Sequence, residues 1–554
     1  MILNRDFQIS IKYKIDKRLF VAESENQHFS LKLLSEGEEN RLRLNIVPKQ
    51  KMELVAFDVR YKYTYEEASV VFANGYQSWT MSREYGKHDR QHGLRGLSKG
   101  GPARIFAQTS GDYFFKSYPK TAGVFHGYSY SYVRTGDYVN LFGSLLERTG
   151  WTIFNFDLNY GRLKIEKDTE GLTIDGEYAL FDVISYSGAY DEVFDAYFAD
   201  ANVNKPRVPH LAGYTSWYNY KQKINEDIIL RDLKGLATVG GAADIFQIDD
   251  GWETMVGDWA IDAEKFPQGL KSVVDKIHDE KYLAGLWLAP FSAQFKADVA
   301  AKHPEWIVRD AKGRKLVAGF AWMGFYALDF YIPECAEHIK QRFKEVFSWG
   351  FDMVKLDFLY SVCMQPRYGK TRGQIMCEAM DFLRECCGDK LILGCGVPLA
   401  PAFGKVDFCR VSCDAELSFK DKFYVKTTNQ EVISTRNAIN NNIFRRHLDG
   451  RAFTNDPDVF FLRNENAKYT REQKELLAKI NSLFGNLLFV SDDIGTYDEY
   501  QRKILLKTYK KSEAKVLLAE YVDANLIKTV YSKNGKNYRL ILNVETGECS
   551  QKEL

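Results

Sequence analysis

The feature that most constrains this chain is a series of short apolar segments that end in polar residues and alternate with helical segments. Segment 351–358 is one example, because it is almost continuously apolar yet carries Lys355 and Asp357. Such apolar runs are typical of parallel strands buried on both faces. A carboxylate at the end of a buried strand costs desolvation, so it needs an ion-pair partner or a function. Taken alone, this segment leaves both possibilities open.

Seven further segments follow the same pattern. One runs into Asp249 and Asp250, and another carries Arg410 shortly before Asp414. The repetition favours a functional role for the terminal carboxylates over a single buried salt bridge. The predicted strands are 211–217, 243–248, 282–288, 351–358, 391–394, 406–412, a segment that begins at Phe453, and 487–490.

Segments with helical character lie between these strands. One begins at Pro333, which suits a first helical turn, and stops before Gly350. Another covers 374–387, and a third begins with the capping-box pair Thr470 and Gln473. Strand–helix alternation indicates a parallel sheet, and eight such units predict a closed (β/α)8 TIM barrel. The active site of such a barrel lies at the C-terminal ends of its strands.

The regions on either side of the predicted barrel have a different pattern of apolar and polar residues. Segments 7–13 and 53–65 alternate apolar and polar residues, which predicts antiparallel strands with one face exposed to water. Near the C-terminus, Asn534-Gly535 between two apolar segments predicts a hairpin. We therefore expect an N-terminal β-sandwich (1–190), a catalytic barrel (191–510) and a small antiparallel β domain (511–554).

Composition excludes several classes of function. The 554 residues carry a formal net charge of +1 with dispersed lysines and arginines, so no nucleic-acid partner is predicted. No apolar stretch is long enough to span a bilayer, and the first residues lack a signal-peptide core, so no membrane partner is expected. The nine cysteines show no metal-site spacing. They predict reduced thiols, a cytoplasmic location, and neither metal nor cofactor.

Seven short motifs follow one another along the chain in a fixed order. They are Asn74-Gly75-Tyr76-Gln77-Ser78-Trp79, 213–220, Phe246-Gln247-Ile248-Asp249-Asp250-Gly251-Trp252, Gly285-Leu286-Trp287, Lys355-Leu356-Asp357, Gly394-Cys395-Gly396 and Asn455-Asp456-Pro457-Asp458. Together they resemble glycoside hydrolase family 36, and most closely its compact, melibiase-like α-galactosidases. That resemblance implies a β-supersandwich, a (β/α)8 barrel and a C-terminal β domain, and it spans nearly the whole chain.

The resemblance assigns two carboxylates to the reaction. Asp357 corresponds to the nucleophile, and Asp414 corresponds to the general acid/base. A retaining glycosidase forms a covalent glycosyl-enzyme intermediate on the first carboxylate, while the second protonates the leaving oxygen and then deprotonates water. In such enzymes the two carboxyl groups lie about 5–5.5 Å apart.

The resemblance also implies a shell of sugar-binding side chains. Asp249 and Asp250 match the pair that accepts hydrogen bonds from the 4- and 6-hydroxyls, and an acceptor placed for an axial 4-hydroxyl selects galactose over glucose. The other expected contacts are Trp287, Lys355, Cys395, Arg410, Trp217, Tyr218 and, from the N-terminal domain, Trp79.

Structural roles remain open for several of these residues. Trp287, Cys395 and Trp79 are also candidates for ordinary packing. On an ideal strand Asp249 and Asp250 point to opposite sides, so one of them could serve a different purpose. A further open point is the acid/base, because Glu416 lies two residues beyond Asp414 and has the same chemistry.

The predicted function is hydrolysis of terminal α-linked galactose from small oligosaccharides of the melibiose or raffinose type. An α-N-acetylgalactosaminidase and a galactosyl-transferring relative would use the same pair of carboxylates. A non-catalytic carbohydrate-binding protein is a third alternative. A divalent-metal enzyme could also cluster carboxylates at strand ends, but no histidine–carboxylate group with ligand spacing supports it.

Overall fold

The computed structural model describes residues 2–554, except for the side chains of Leu97 and Pro102. Two antiparallel sheets come first along the chain. They share one apolar core, in which Phe57 of one sheet meets Phe181 of the other with ring centroids 5.8 Å apart. The strands are β1 (Gln8–Ile15), β2 (Arg18–Ala22), β3 (Phe29–Leu33), β4 (Arg41–Pro48), β5 (Met52–Lys62), β6 (Val70–Ala73), β7 (Arg83–Gly86), β8 (Val124–Tyr128), β9 (Tyr130–Thr135), β10 (Tyr138–Ser144), β11 (Thr152–Asp157), β12 (Arg162–Lys167), β13 (Leu172–Ile174) and β14 (Tyr178–Ala189).

The order of these strands explains the alternating sequence. One sheet runs β2-β1-β5-β12-β11-β8, with β13 also on β5, and the other runs β3-β4-β14-β10-β9-β6-β7. Along β4, buried residues alternate with partly exposed ones, as expected for a sheet with one face on the core. A short helix, α1 (Gly101–Gln108), lies between β7 and β8, and α2 (Tyr190–Asp200) follows β14.

A curled parallel sheet, TIM-like in its strand–helix alternation, forms the middle of the chain. Its strands are almost wholly buried, in agreement with their continuous apolar sequence. Within residues 2–554 it has nine strands in the order β24-β23-β22-β21-β17-β16-β15-β26-β25, and β18, β20 and β19 form a small separate sheet. These strands are β15 (Leu211–Thr215), β16 (Ile245–Ile248), β17 (Leu283–Leu288), β18 (Ser292–Gln294), β19 (Val317–Gly319), β20 (Phe325–Ala327), β21 (Met353–Leu356), β22 (Leu391–Gly394), β23 (Phe408–Arg410), β24 (Thr454–Asp456), β25 (Val459–Phe460) and β26 (Leu487–Val490).

The helices confirm the sequence signals at their ends. The helix predicted from Pro333 starts there, and Thr470 forms the expected capping box with Gln473. The predicted helix 374–387 begins slightly earlier, at Arg372, because Thr371 caps it. The helices are α3 (Trp217–Tyr220), α4 (Glu226–Ala237), α5 (Gly269–Asp279), α6 (Asp298–Lys302), α7 (Pro333–Ser348), α8 (Arg372–Cys387), α9 (Leu399–Ala402), α10 (Thr435–Phe444), α11 (Arg471–Phe484) and α12 (Glu499–Tyr509).

One predicted strand of the parallel sheet is wrong in detail. The segment after Phe453 forms two short strands, β24 and β25, instead of one. Pro457 lies between them, and proline cannot donate a ladder hydrogen bond. The next residue, Asp458, has a positive φ of 74°, which also interrupts an extended strand.

A separate antiparallel sheet ends the chain, in the order β27 (Lys515–Asp523), β28 (Leu526–Lys533), β29 (Lys536–Asn543) and β30 (Cys549–Glu553). The hairpin predicted at Asn534-Gly535 is present, and both residues have positive φ, as a type I′ turn requires. The predicted boundaries near residues 190 and 510 stay predictions. None of the helices within residues 2–554 has the length and apolar character needed to cross a membrane.

Candidate active site

A cavity of about 400 Å³ lies at the C-terminal edge of the parallel sheet. Eight of the eleven predicted site residues line it, whereas a cleft of about 1430 Å³ on the N-terminal domain is lined by other residues. The cavity therefore brings most of the predicted site residues together. The eight residues are Trp79, Trp217, Asp249, Asp250, Trp287, Lys355, Asp357 and Asp414.

Asp249 and Lys355 form a buried ion pair on the wall of this cavity. The Lys355 Nζ lies 2.9 Å from Asp249 Oδ2, and neither side chain is more than 7% exposed. Gln247 Nε2 donates to the same oxygen at 2.7 Å. Burial alone would lower the pKa of Lys355, but the surrounding acidic groups, Asp249 foremost, together outweigh burial and raise that pKa above its ordinary value. Lys355 is therefore held as a cation.

Asp250 lines the same cavity as Asp249, although the two would point to opposite sides of an ideal strand. The strand ends at Ile248, and strand alternation no longer applies beyond it. Gln222 Nε2 donates to Asp250 Oδ1 at 3.0 Å, and Trp322 Nε1 donates to Oδ2 at 2.8 Å. Burial raises the pKa of Asp250 despite these donors.

Asp357 follows β21 directly and is held by two neutral donors. Trp287 Nε1 donates to its Oδ2 at 3.1 Å, and the Phe358 backbone N–H donates to Oδ1 at 2.8 Å. Burial raises the pKa of Asp357 and nearby Asp414 adds to that effect, while Lys355 opposes it. Trp287 is 1% exposed, so it is both a core residue and part of the cavity wall.

Arg410 orients Asp414 from behind the cavity wall. Its Nη1 lies 3.0 Å from Asp414 Oδ1, its Nε lies 2.8 Å from Asp456 Oδ2, and its Nη2 lies 2.8 Å from Asp458 Oδ1. Of these three carboxylates, Asp414 is the one that lines the cavity. The rival residue Glu416 instead pairs with Lys422 at 2.8 Å and does not line the cavity. This arrangement favours Asp414 as the carboxyl available to a ligand.

Arg410, Tyr218 and Cys395 adjoin the site but are absent from the described cavity lining. The Tyr218 hydroxyl donates to Asp458 at 2.6 Å, which supports the carboxylate that holds Arg410. Cys395 is 1% exposed, and burial together with the charge of Asp357 raises the pKa of its thiol well above the usual range. Direct contact of these three residues with a sugar stays a prediction.

Sequence reasoning missed several residues that line the cavity. Trp322 lies in the loop between β19 and β20, with a positive φ of 53°, and the glycines on both sides of it were the available signal. Glu431 is buried in an irregular segment before α10 and accepts hydrogen bonds from Thr80 Oγ1 and the Tyr113 hydroxyl, both at 2.8 Å. Burial raises the pKa of Glu431 to about 7. The further lining residues are Lys221, Gln222, Ala321, Phe358, Cys413 and Ile433.

The chain is similar to known glycosidases in sequence and in structure. Residues 189–375 match the Melibiase family model. An "A type blood alpha-D-galactosamine galactosaminidase" of Flavonifractor plautii is 31% identical over 156 residues, which cover 26% of this chain and 14% of that protein. An α-galactosidase of Escherichia coli is 28% identical over 193 residues, covering 33% of this chain and 26% of that protein. The chain thus matches only a minor part of the length of these curated relatives.

Solved structures match over much more of the chain. An α-galactosidase from Thermus thermophilus in complex with p-nitrophenyl α-D-galactopyranoside has a TM-score of 0.70 at 23% identity, covering 90% of this chain and 98% of that one. The family 36 α-galactosidase AgaA from Geobacillus stearothermophilus has a TM-score of 0.62 at 11% identity, covering 96% and 81%. The resemblance to family 36 α-galactosidases predicted from the motifs is confirmed.

Proposed function

We propose that this chain is a retaining α-galactosidase that releases terminal α-linked galactose from small galactosides. The observation that carries the proposal is the pair Asp357 and Asp414, which line one cavity beside the buried carboxylates Asp249 and Asp250. The Thermus thermophilus relative, solved with p-nitrophenyl α-galactoside and with stachyose, supports a galactoside as the substrate.

The proposed reaction uses the two carboxylates in sequence. Asp357 attacks the anomeric carbon and forms a covalent glycosyl-enzyme, while Asp414 protonates the departing oxygen. Asp414 then removes a proton from the incoming water, and the intermediate is hydrolysed with net retention. The hydrogen bonds of Trp287 and Phe358 fix the Asp357 carboxylate, and Arg410 fixes Asp414. Both groups are thus oriented before the substrate binds.

Asp249 and Asp250 are the proposed specificity residues. The carboxylate of Asp249 is fixed by Lys355, and that of Asp250 by Gln222 and Trp322. A carboxylate oxygen has about two acceptor positions, and Asp249 Oδ1 accepts one hydrogen bond, from the Asp250 backbone N–H at 3.0 Å, so this oxygen keeps capacity for a sugar hydroxyl. An equatorial 4-hydroxyl, as in glucose, would miss an acceptor placed for the axial one and leave it unpaired.

A galactosamine-type sugar is the second candidate substrate. The relative that supports it is the galactosaminidase of Flavonifractor plautii, which is 31% identical over 156 residues. The two candidates differ in the substituent at carbon 2, and both would use the same nucleophile.

The proposed architecture is a closed (β/α)8 barrel flanked by the two β domains. Closure is supported by strand pairing, because β24 pairs with β23 and β25 pairs with β26. These two short strands are consecutive in the chain and are separated only by Pro457 and Asp458. Together they act as one interrupted strand that joins both edges of the sheet. A cytoplasmic location remains a prediction from the cysteine composition.

The proposal is tested with the purified chain and four aryl glycosides: α-galactoside, α-N-acetylgalactosaminide, α-galactosaminide and α-glucoside. We expect kcat/KM for the α-galactoside to exceed that for the α-glucoside by at least about 10²-fold. Asp357→Gly should lower turnover by at least about 10³-fold. Sodium azide should then restore turnover and yield the β-galactosyl azide. A fully active Asp357→Gly variant would show that another residue is the nucleophile.

A further inference from the structure

Trp79 reaches the cavity from the N-terminal domain, and its ring is held there by packing alone. Its indole N–H has no hydrogen-bond partner among residues 2–554. The ring packs edge-on against Phe358 and Tyr360, with centroids 5.3 and 5.7 Å away. Because no hydrogen bond fixes the ring, its placement in the cavity wall also depends on how the backbone of segment 74–80 is held.

Arg445, which follows α10 directly, holds that backbone. Its side chain is fully buried, with 0% exposure. A guanidinium has five N–H donors, and Arg445 makes five hydrogen bonds. The acceptors are Asn74 Oδ1 at 3.2 Å and the carbonyl oxygens of Gly75 at 3.4 Å, Gln77 at 3.1 Å, Ser78 at 2.5 Å and Val411 at 2.8 Å.

These acceptors are all neutral, which sets Arg445 apart from other buried arginines. Arg410 binds three carboxylates, and Arg372 binds Asp168 and Glu170. Burial without a nearby carboxylate lowers the pKa of Arg445 to about 10. Burying a charge without an opposite charge is costly, so stability alone is a poor reason for an arginine at this position.

The acceptors belong to two parts of the site. Four lie in the segment that leads to Trp79, and the fifth, Val411, directly follows Arg410 and precedes Asp414 by three residues. On the other side of Trp79, Asn441 of α10 donates to the Thr80 carbonyl at 3.0 Å. The end of α10 thus contacts the backbone on both sides of the tryptophan.

We propose that Arg445 is a positioning residue that clamps segment 74–78 to Val411 and thereby sets Trp79 in the wall of the cavity that Asp414 also lines. The inference rests on the proposed function, because it assigns Trp79 to sugar binding. A lysine at this position keeps the charge but has only three donors on a flexible stem, so it cannot hold five acceptors at once.

A double-mutant cycle in the full-length protein tests the proposal. With the aryl α-galactoside, Arg445→Lys should raise KM about ten-fold while kcat changes by less than about three-fold. Trp79→Ala should raise KM at least as much. Adding Arg445→Lys to Trp79→Ala should then raise KM little further, because Arg445 acts on the substrate through the position of Trp79. Independent, multiplicative effects would overturn the proposal.

A matched control is Arg372→Lys, which changes another buried arginine that joins the N-terminal domain to a barrel helix. It should lower the melting temperature without the rise in KM. If Arg445→Lys does not fold, Asn74→Ala removes one acceptor and should raise KM about two- to three-fold, again only when Trp79 is present. An unchanged KM in Asn74→Ala with Trp79 present would then contradict the proposal.

Hydrogen exchange provides a readout that does not depend on activity. In Arg445→Lys, exchange should quicken in peptides covering 74–80 and remain unchanged in the C-terminal sheet, 526–543. If the wild-type chain hydrolyses no α-galactoside, the proposed function fails, yet the exchange result still decides whether Arg445 fixes this segment. Uniform loss of protection, or none, would show a general structural role instead.

Discussion

The two walls of the cavity differ in the partners of their buried ionisable side chains. On the wall formed by the curled parallel sheet, called the barrel wall below, two cations meet anions: Lys355 pairs with Asp249, and Arg410 pairs with Asp456 and Asp458. On the wall formed with the N-terminal domain, the buried Arg445 meets only carbonyl and amide oxygens. Glu431, on the same wall, meets hydroxyl and amide donors.

This difference predicts where the site responds to its surroundings. Ion pairs on the barrel wall hold the charges of their cations, because the neighbouring carboxylates raise the pKa of Lys355 and of Arg410 above their ordinary values despite burial. On the other wall no carboxylate does this for Arg445, whose pKa burial lowers to about 10, and burial raises the pKa of Glu431 to about 7. Removing one partner of an ion pair on the barrel wall should therefore lower the free energy of unfolding. On the N-terminal wall, the ionisation of Glu431 should make that free energy depend on pH.

The largest expected effect comes from breaking the ion pair on the barrel wall. Asp249→Asn removes the anion from Lys355, which is 5% exposed and cannot reach water easily. Leaving one charge of a buried pair without its partner costs about 3–5 kcal/mol. We expect a loss of that size in the free energy of unfolding, measured by urea denaturation at neutral pH.

Asp275→Asn is the matched control, because Asp275 pairs with Lys271 on an exposed helix face. That change should leave the denaturation midpoint almost unaltered. If Asp249→Asn were as stable as the wild type, the barrel wall would not depend on its paired charges, and the contrast between the walls would fail.

The sequence predicts the barrel wall well because its signals are local. A buried parallel strand needs an apolar run, and the polar residue that ends it is adjacent in the chain, as with Asp357 after β21. The N-terminal wall depends on contacts between distant segments. Glu431 meets Thr80, which is 351 residues away. Trp322 is placed by a loop with positive φ, and no periodic pattern reports such a conformation.

The second prediction concerns the pH response of the N-terminal wall. The pKa of Glu431 in the folded chain is about 7, above its ordinary value of 4.5. The stability that protonated Glu431 contributes is thus complete below the pKa it has in the unfolded chain, and it is lost as pH rises through 7. The corresponding loss in the free energy of unfolding is about 3 kcal/mol. Glu431→Gln should flatten the decline in unfolding free energy between pH 5 and 8, measured by urea denaturation.

Glu166→Gln serves as the opposite control. Lys116 and Lys164 overcome the effect of burial and lower the pKa of Glu166 to about 2. Its stabilising contribution is present above the pKa of the unfolded chain and is lost as pH falls toward 2, so this variant should be less stable at neutral pH and should change the slope of the profile only on the acid side. An unaltered slope between pH 5 and 8 in Glu431→Gln would show that Glu431 does not titrate there.

The smallest expected effect concerns Asp250, a barrel-wall carboxylate served by neutral donors. Trp322→Phe removes the N–H that donates to Asp250 Oδ2 at 2.8 Å but keeps an aromatic ring. Since that bond favours the ionised form, its loss should raise the pKa of Asp250 further, and the low-pH limb of kcat/KM should move to higher pH. One hydrogen bond of about 1 kcal/mol corresponds to about a five-fold loss of kcat/KM.

Trp306→Phe, outside the cavity lining, should leave the pH profile unchanged. An unchanged limb in Trp322→Phe would mean that this hydrogen bond does not influence the ionisation of Asp250.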